Sequence, residues 1–183
     1  AALINSLYGV FGSCVVAGHT GVVLQNRSAY FSLDPAHPNC VAPGKTPLHT
    51  LIASLAFNTE QDKGIDEKLW GVVGCMGADG QPQIHAQTYV NMIDHGLDIQ
   101  QAVQAPRWLS GRFALGEARD TLHIEARFPG ETINELERRG HVIDRWGEWN
   151  ELAGHAHGIT IDPATGARHG GSDPRSDGAA IGC

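Results

Sequence analysis

The stretch Trp70-Gly71-Val72-Val73-Gly74-Cys75-Met76-Gly77-Ala78-Asp79-Gly80 decides how this chain is read. Leu69–Val73 is an apolar run of strand length, and it stops abruptly in a glycine-rich turn. Residues Gln81–Asp94 then carry a helical pattern. Strand, glycine turn and helix together offer bare backbone N–H groups at a helix N-terminus. Such a turn suits a phosphate, a carboxylate or the oxyanion of an acyl transfer, and it also serves as a plain tight turn.

Spacing narrows these choices. A dinucleotide fingerprint needs Gly-x-Gly-x-x-Gly, whereas this turn reads Gly74-x-x-Gly77-x-x-Gly80. A phosphate loop needs Gly-Lys-Ser/Thr opening a helix, whereas Gly80 is followed by Gln81-Pro82. Gly44-Lys45-Thr46 has the right residues, but Pro43 and Pro47 flank it and no helix can start there. Nucleotide binding is set aside. A carboxylate or oxyanion site and a plain turn both stay open.

Working outward, the apolar runs predict strands at Ala2–Leu7, Gly21–Gln25, Leu51–Phe57, Leu69–Val73, Leu122–Glu125, His141–Arg145 and Gly158–Asp162. Three helices are predicted. Gln81–Asp94 places Ala86, Tyr89, Val90, Ile93 and then Leu97 on one side. Ile99–Ala105 groups Ile99, Ala102 and Val103 and stops before Pro106. Glu131–Arg139 starts acidic and ends in Arg138-Arg139-Gly140, which fits the helix dipole and a glycine cap. Strands and helices in separate runs predict an α+β domain rather than regular βαβ winding. The loop from Arg27 to Pro47, with four prolines, is long enough to be functional.

The 183 residues suit one domain spanning 1–183. A formal net charge of −7 argues against nucleic acid or an anionic membrane as partner, because both require a basic face. No apolar stretch is long enough to span a bilayer. Cys14, Cys40, Cys75 and Cys183 show no zinc spacing and read as free thiols. His155-Ala156-His157 would put two imidazoles on one strand face, but no third ligand is evident, so no metal is expected. The run from His169 to Gly178 is dense in turn formers, and Arg175 can pair with Asp173 or Asp177 to tether the terminus.

Seven segments, in order, resemble the small subunit of the gamma-glutamyltransferase family of N-terminal nucleophile hydrolases. They are Leu3 to Gly12, Gly21 to Arg27, Phe31-Ser32, Pro43 to Thr50, the opening turn, Gln104-Ala105-Pro106-Arg107-Trp108 and Gly171-Ser172-Asp173-Pro174-Arg175. The resemblance implies a four-layer αββα sandwich. It implies a precursor that cleaves itself into two subunits, the new N-terminal threonine being the nucleophile and its α-amino group the base. No metal or organic cofactor is implied. The partner is the large subunit of the same precursor, which supplies an arginine for the substrate carboxylate, and a dimer of such heterodimers is compatible. The nucleophilic threonine is expected upstream of Ala1, because Thr20 and Thr46 are internal and have no free amine.

Residue by residue, the resemblance makes Gly77 and Ala78 the oxyanion donors, at positions where the family usually has two glycines. Ser6 stands where a threonine hydroxyl supports the nucleophile. His49 and Thr50 stand where transpeptidases hold the substrate α-carboxylate with two serines. Tyr30 replaces an acidic residue that grips the α-ammonium, Arg27 replaces a neutral amide, and Tyr8 replaces an asparagine. These changes imply a small-molecule acyl amide that carries a carboxylate and no α-amino group, as in the acylase-like branch. The alternatives are glutathione hydrolysis with transfer of the γ-glutamyl group, or a non-catalytic relative that binds a small acidic ligand. A cytoplasmic location is expected, with periplasmic or secreted location as the alternative.

Overall fold

The computed structural model describes residues 4–58, 68–111 and 118–182. The chain forms two compact units: Leu3–Leu51, and Ile52–Cys183 together with Ala1–Ala2. In the larger unit the elements run β1 (Ala53–Asn58), β2 (Lys68–Met76), α1 (Gln81–Ile93), α2 (Ile99–Gln104), β3 (Trp108–Ser110), β4 (Thr121–Glu125), α3 (Gly130–Arg138), β5 (Val142–Trp146), β6 (His155–Ile161) and β7 (Arg168–Ser172). The α+β class expected from the sequence is what is seen.

Two sheets carry this unit. The larger is antiparallel throughout, in the order β1-β2-β6-β7, and the smaller has the order β3-β4-β5. β4 and β5 are parallel and joined through α3, one βαβ crossover within an otherwise antiparallel arrangement. On β2, Gly71, Val73 and Cys75 are buried and alternate with less buried neighbours, so one face of the sheet lies under the helices. A register shift between Ala56 and Phe57 leaves Trp70 as a bulge residue, and its ring contacts Tyr89 of α1. The core comprises Val73, Cys75, Ile84, Met92, Ile99, Ala102, Val103, Leu109, Trp146, Ala153 and Ala156. α2 lies so close to β6 and β7 that a methyl on Gly158 would sit 2.7 Å from Ile99 Cδ1, and one on Gly171 would sit 2.9 Å from the Ile99 carbonyl.

Several expectations need correction. α1 forms where expected, but its buried side is Gln81, Ile84, His85, Thr88 and Met92, while Val90 and Ile93 are exposed. The polar members of that side find partners inside the fold. Thr88 Oγ1 donates to the Ile84 carbonyl, Gln81 Nε2 donates to the Ala78 carbonyl, and His85 Nδ1 meets Ser54 Oγ at 3.0 Å. Residues 4–7 of the expected first strand are not in a strand, and the expected strand at Gly21–Gln25 contributes only an isolated bridge, Val16↔Val23. Two strands were not expected, β3 and β7. α2 carries a capping box between Asp98 and Gln101, and α3 ends as expected, with Gly140 at φ +93 and the His141 N–H on the Leu136 carbonyl.

The smaller unit has little regular structure: a 3-10 turn at Arg27–Tyr30 and the bridges Val16↔Val23 and Ser32↔Cys40. Side chains bonded to backbone hold it. Asn26 accepts from the Gly9 N–H and donates to the carbonyls of Gly9 and Gly12, and Lys45 Nζ donates to the carbonyls of Pro38 and Cys40.

A buried ion network lies at the centre of the larger unit. Arg175 grips Glu125 through Nε and Nη2 at 2.7 and 2.6 Å and donates to Asp173 Oδ1 through Nη1 at 2.9 Å. Arg107 Nη2 donates to Asp173 Oδ2 at 3.0 Å, and Arg127 Nη2 to Glu125 Oε2 at 2.8 Å. Glu125 and Asp173 are fully buried. The tether expected at Asp173 is present, but it includes Glu125 rather than Asp177. Burial pushes the Glu125 carboxyl up. The bonds and charge of Arg175, with the N–H groups of Arg107 and Asn150, more than reverse this, so its pKa lies below the ordinary value. For Asp173 burial also raises the pKa, and Arg107, the Ala156 N–H and Arg175 bring it below the ordinary value. Both groups therefore stabilise the fold above the ordinary carboxylate range, and this contribution is lost as pH falls through their depressed values. Glu125→Gln is expected to destabilise the fold by about 3–5 kcal/mol, because the buried Arg175 loses its bidentate carboxylate and the partly exposed Arg127 loses its ion pair. Urea unfolding from neutral to acidic pH checks it: the midpoint should fall on acidification in the wild type and fall less in the variant.

Candidate active site

β2 ends at Met76, and the chain turns through Gly77 and a 3-10 turn, Ala78–Gly80, directly into α1. The turn is closed by the Gly80 N–H on the Gly77 carbonyl at 2.8 Å. Ala78 has φ +44, a left-handed conformation that carries strain in a residue with a side chain. Among the described residues, neither the Gly77 N–H nor the Ala78 N–H donates a hydrogen bond. Two adjacent unengaged N–H groups at the start of a thirteen-residue helix are a donor pair for an anion.

Gly154, at φ +81, backs this turn. A methyl on it would lie 2.5 Å from the Met76 carbonyl oxygen and 3.3 Å from Gly77 Cα. The carbonyls of Ala153 and Gly154 accept from Arg107 Nη1 at 2.8 and 2.9 Å. The ion network thus reaches the segment that abuts the turn.

Other reactive groups near the turn are disabled. Cys75 is buried beneath it, and burial pushes its thiol up to about 12, with Arg107 pulling down and Asp173 pushing up by smaller amounts. It is a thiol, not a nucleophile, at neutral pH. Ser54 and His85 form a pair that the sequence did not disclose, since they lie on β1 and α1. Ser54 Oγ donates to the Val73 carbonyl and also contacts Tyr89 OH at 2.8 Å, so the hydroxyl is engaged on three sides. Desolvation lowers the His85 pKa, with a smaller opposing effect from the Ile52 backbone. This cluster stitches β1 to α1 in the core. His155 and His157 do share a face of β6, and among the described residues no three His, Cys, Asp or Glu side chains group as metal ligands.

In the smaller unit, five of the six residues singled out there come together. Arg27 Nε donates to Thr50 Oγ1 at 2.7 Å, and Arg27 Nη2 donates to the Ser6 carbonyl at 3.1 Å. The Tyr8 N–H donates to Ser6 Oγ at 3.1 Å, and the Tyr8 and Tyr30 rings meet with centroids 5.0 Å apart. Tyr8 is left-handed, at φ +76. The side chain of His49 is exposed and joins none of these contacts. The outer edge of the Arg27 guanidinium donates no bond among the described residues, which leaves a half-buried cation held by Thr50 and Ser6.

The chain matches the gamma-glutamyltranspeptidase family over residues 1–183. It is 41% identical over 181 residues to a glutathione hydrolase-like YwrD proenzyme of Bacillus subtilis, covering 99% of this chain and 33% of the relative. It is also 41% identical over 181 residues to an oxamate amidohydrolase proenzyme of Klebsiella pneumoniae, with the same coverage. The crystal structure of a cephalosporin acylase from Bacillus halodurans superposes with a TM-score of 0.78 at 40% identity, over 95% of this chain and 30% of that one. The α+β fold is therefore that of the family's N-terminal nucleophile hydrolases, and the chain spans about a third of the length of the curated relatives it matches. A family match from the first residue to the last identifies the chain as a member of the gamma-glutamyltranspeptidase family.

Proposed function

We propose that this chain is the small-subunit part of an amide hydrolase working through an acyl-threonine intermediate, its nucleophile and large subunit coming from the rest of one precursor. The observation that carries this reading is the unengaged N–H pair of Gly77 and Ala78 at the start of α1. In the reaction the threonine hydroxyl oxygen adds to the amide carbonyl carbon, and its proton passes to the threonine's own α-amino group. The carbonyl oxygen becomes an oxyanion and lies against the two N–H groups. When the C–N bond breaks, that proton leaves with the amine. Water then attacks the threonine ester, the same N–H pair holds the second oxyanion, and the free acid departs. All the groups required are protein groups and water.

The substrate favoured is a small acyl amide with a carboxylate and no α-ammonium. Arg27 offers a cation where the family commonly has a neutral amide, and its held geometry suits a carboxylate. Tyr30 and Tyr8 place rings where an acidic residue and an asparagine would receive an amino-acid head group. A relative whose name states that it acts on oxamate, the monoamide of a two-carbon dicarboxylic acid, fits this pattern. The second reading is γ-glutamyl hydrolysis, favoured by the name of the other relative at the same identity.

Kinetics on the complete matured enzyme separate the two. Glutaryl p-nitroanilide and oxamate are expected to be turned over in preference to γ-glutamyl p-nitroanilide, and a strong γ-glutamyl preference would overturn the substrate assignment. Arg27→Gln is expected to lower kcat/KM about 10- to 100-fold on carboxylate-bearing acyl amides, the weight of a charged hydrogen bond. Placing lactic acid at position 78 exchanges that N–H for an ester oxygen, lets φ stay at +44, and should reduce kcat at least about a hundredfold. Turnover within tenfold of wild type in that variant would remove the oxyanion role. Intact-mass analysis of enzyme quenched with a slow substrate should show the acyl adduct on a chain that begins with threonine upstream of Ala1.

A further inference from the structure

The φ of Gly77 is 164°, outside the left-handed region that favours glycine. The constraint on it is a single atom. A methyl on Gly77 would lie 2.3 Å from Ile84 Cδ1, while the next nearest atoms, both of Gln81, are at an ordinary 3.7 Å. The same Ile84 methyl would lie 2.4 Å from a methyl on Gly154. Ile84 is completely buried on the first turn of α1, so its Cδ1 fills a notch whose two walls are the α-carbons of Gly77 and Gly154. Gly154 is fixed from behind, because Arg107 Nη1 holds its carbonyl and that of Ala153 while Nη2 is tied to Asp173 and Val103.

We infer that Ile84 is the positioning residue of the Gly77–Ala78 turn. Its Cδ1 methyl, wedged between Gly77 and a Gly154 anchored by Arg107, sets the direction in which the two N–H groups point. The inference rests on the oxyanion reading of that turn and adds to it the side chain that aims the donors. The physical reason is close packing: a buried methyl in contact with two α-carbons leaves neither room to move, and removing it opens a slot into which the turn can slide. Oxyanion donors act through pre-organised geometry, so a small slide lowers the rate of the chemical step and leaves ground-state binding nearly unchanged.

The test moves one methyl across the contact. In the complete matured enzyme, Ile84→Val removes Cδ1 and is expected to lower kcat about five- to tenfold with KM within about twofold. Gly77→Ala forces a methyl against Cδ1 and is expected to lower kcat by about tenfold or more. Gly77→Ala combined with Ile84→Val restores the total volume and the wedge, and its kcat is expected within about threefold of wild type. Gly154→Ala is not rescued by Ile84→Val, because its methyl also meets the Met76 carbonyl oxygen at 2.5 Å and its φ is +81. Ile133→Val, a buried isoleucine on α3 outside this contact, serves as control, and it should change the melting temperature but not kcat. Wild-type kcat in Ile84→Val, or a double variant no better than Gly77→Ala alone, overturns the inference. If the position-78 ester is inactive in the same assays, such a result removes the wedge and keeps the oxyanion reading. An active position-78 ester removes both.

Discussion

The buried pairing of Glu125 and Asp173 with Arg107 and Arg175 is the constraint from which the larger unit takes its shape. Two carboxylates and two guanidiniums out of water lose a large hydration energy, and the mutual attraction offsets it only when every donor and acceptor is used. Here the surrounding backbone supplies what the charges do not. Glu125 also accepts the N–H groups of Arg107 and Asn150, and Asp173 accepts those of Ala156 and Arg175. The guanidiniums in turn serve carbonyls. α2 ends without a glycine cap, and its last carbonyls, Val103, Gln104 and Ala105, receive donors from Arg107, Arg175 and Arg127. Three cations at the negative end of a helix satisfy orphan carbonyls that an apolar core would leave bare. An apolar replacement of the charges would thus break more than the ion pairs.

The network also links the two sheets, because Glu125 ends β4 of the smaller one and Asp173 follows β7 at the edge of the larger one. Arg107 stands between them and bonds the Ala153–Gly154 backbone. That segment abuts the Gly77 turn, so a rigid frame of charges stands behind the most strained residue of the turn. A left-handed Ala78 carries roughly 1–2 kcal/mol of strain, which persists only where the surroundings over-determine the conformation. The smaller unit is built by the opposite means. It has almost no regular structure, three non-glycine left-handed residues in Tyr8, Val10 and Cys14, and a scaffold of Asn26, Lys45 and Arg27 side chains bonded to backbone and hydroxyl groups.

What the sequence disclosed follows from the range of the forces involved. β2, β5, β6, α2 and the glycine cap of α3 depend on neighbours within a few residues, and their patterns are plain. The buried side of α1 was misread because Gln81, His85 and Thr88 look like surface residues until Ser54 and local carbonyls are brought to them by the fold. β7, Arg168-His169-Gly170-Gly171-Ser172, has no apolar alternation; Gly171 leaves room for the backbone of α2 and Gly170 faces Ala180. Glu125 was legible only as the end of a strand. Its partner Arg175 is fifty residues away, and no local pattern announces such a pair. In the smaller unit the motifs pointed to residues that do meet, Arg27 with Thr50 and Ser6, and Tyr8 with Tyr30, although the strand periodicity expected around them was absent. His49 was picked by position within a motif, and its side chain is exposed.

Gly77 and Ala78 show how reaction and recognition separate on the proposed reading. The donors in the larger unit are backbone N–H groups, which alanine supplies as well as glycine, so the side chain at position 78 is free to change while the donor stays. What cannot change freely is the packing that aims the donors. Gly77 is excluded from growing by one methyl of Ile84, and Gly154 by a carbonyl oxygen and its own φ. Recognition in the smaller unit rests instead on side chains, Arg27, Tyr30 and Tyr8, where one substitution adds a charge, removes an acid or swaps an amide for a ring. A chain built this way can exchange the head group it accepts without disturbing the step it catalyses, because the two properties depend on different atoms.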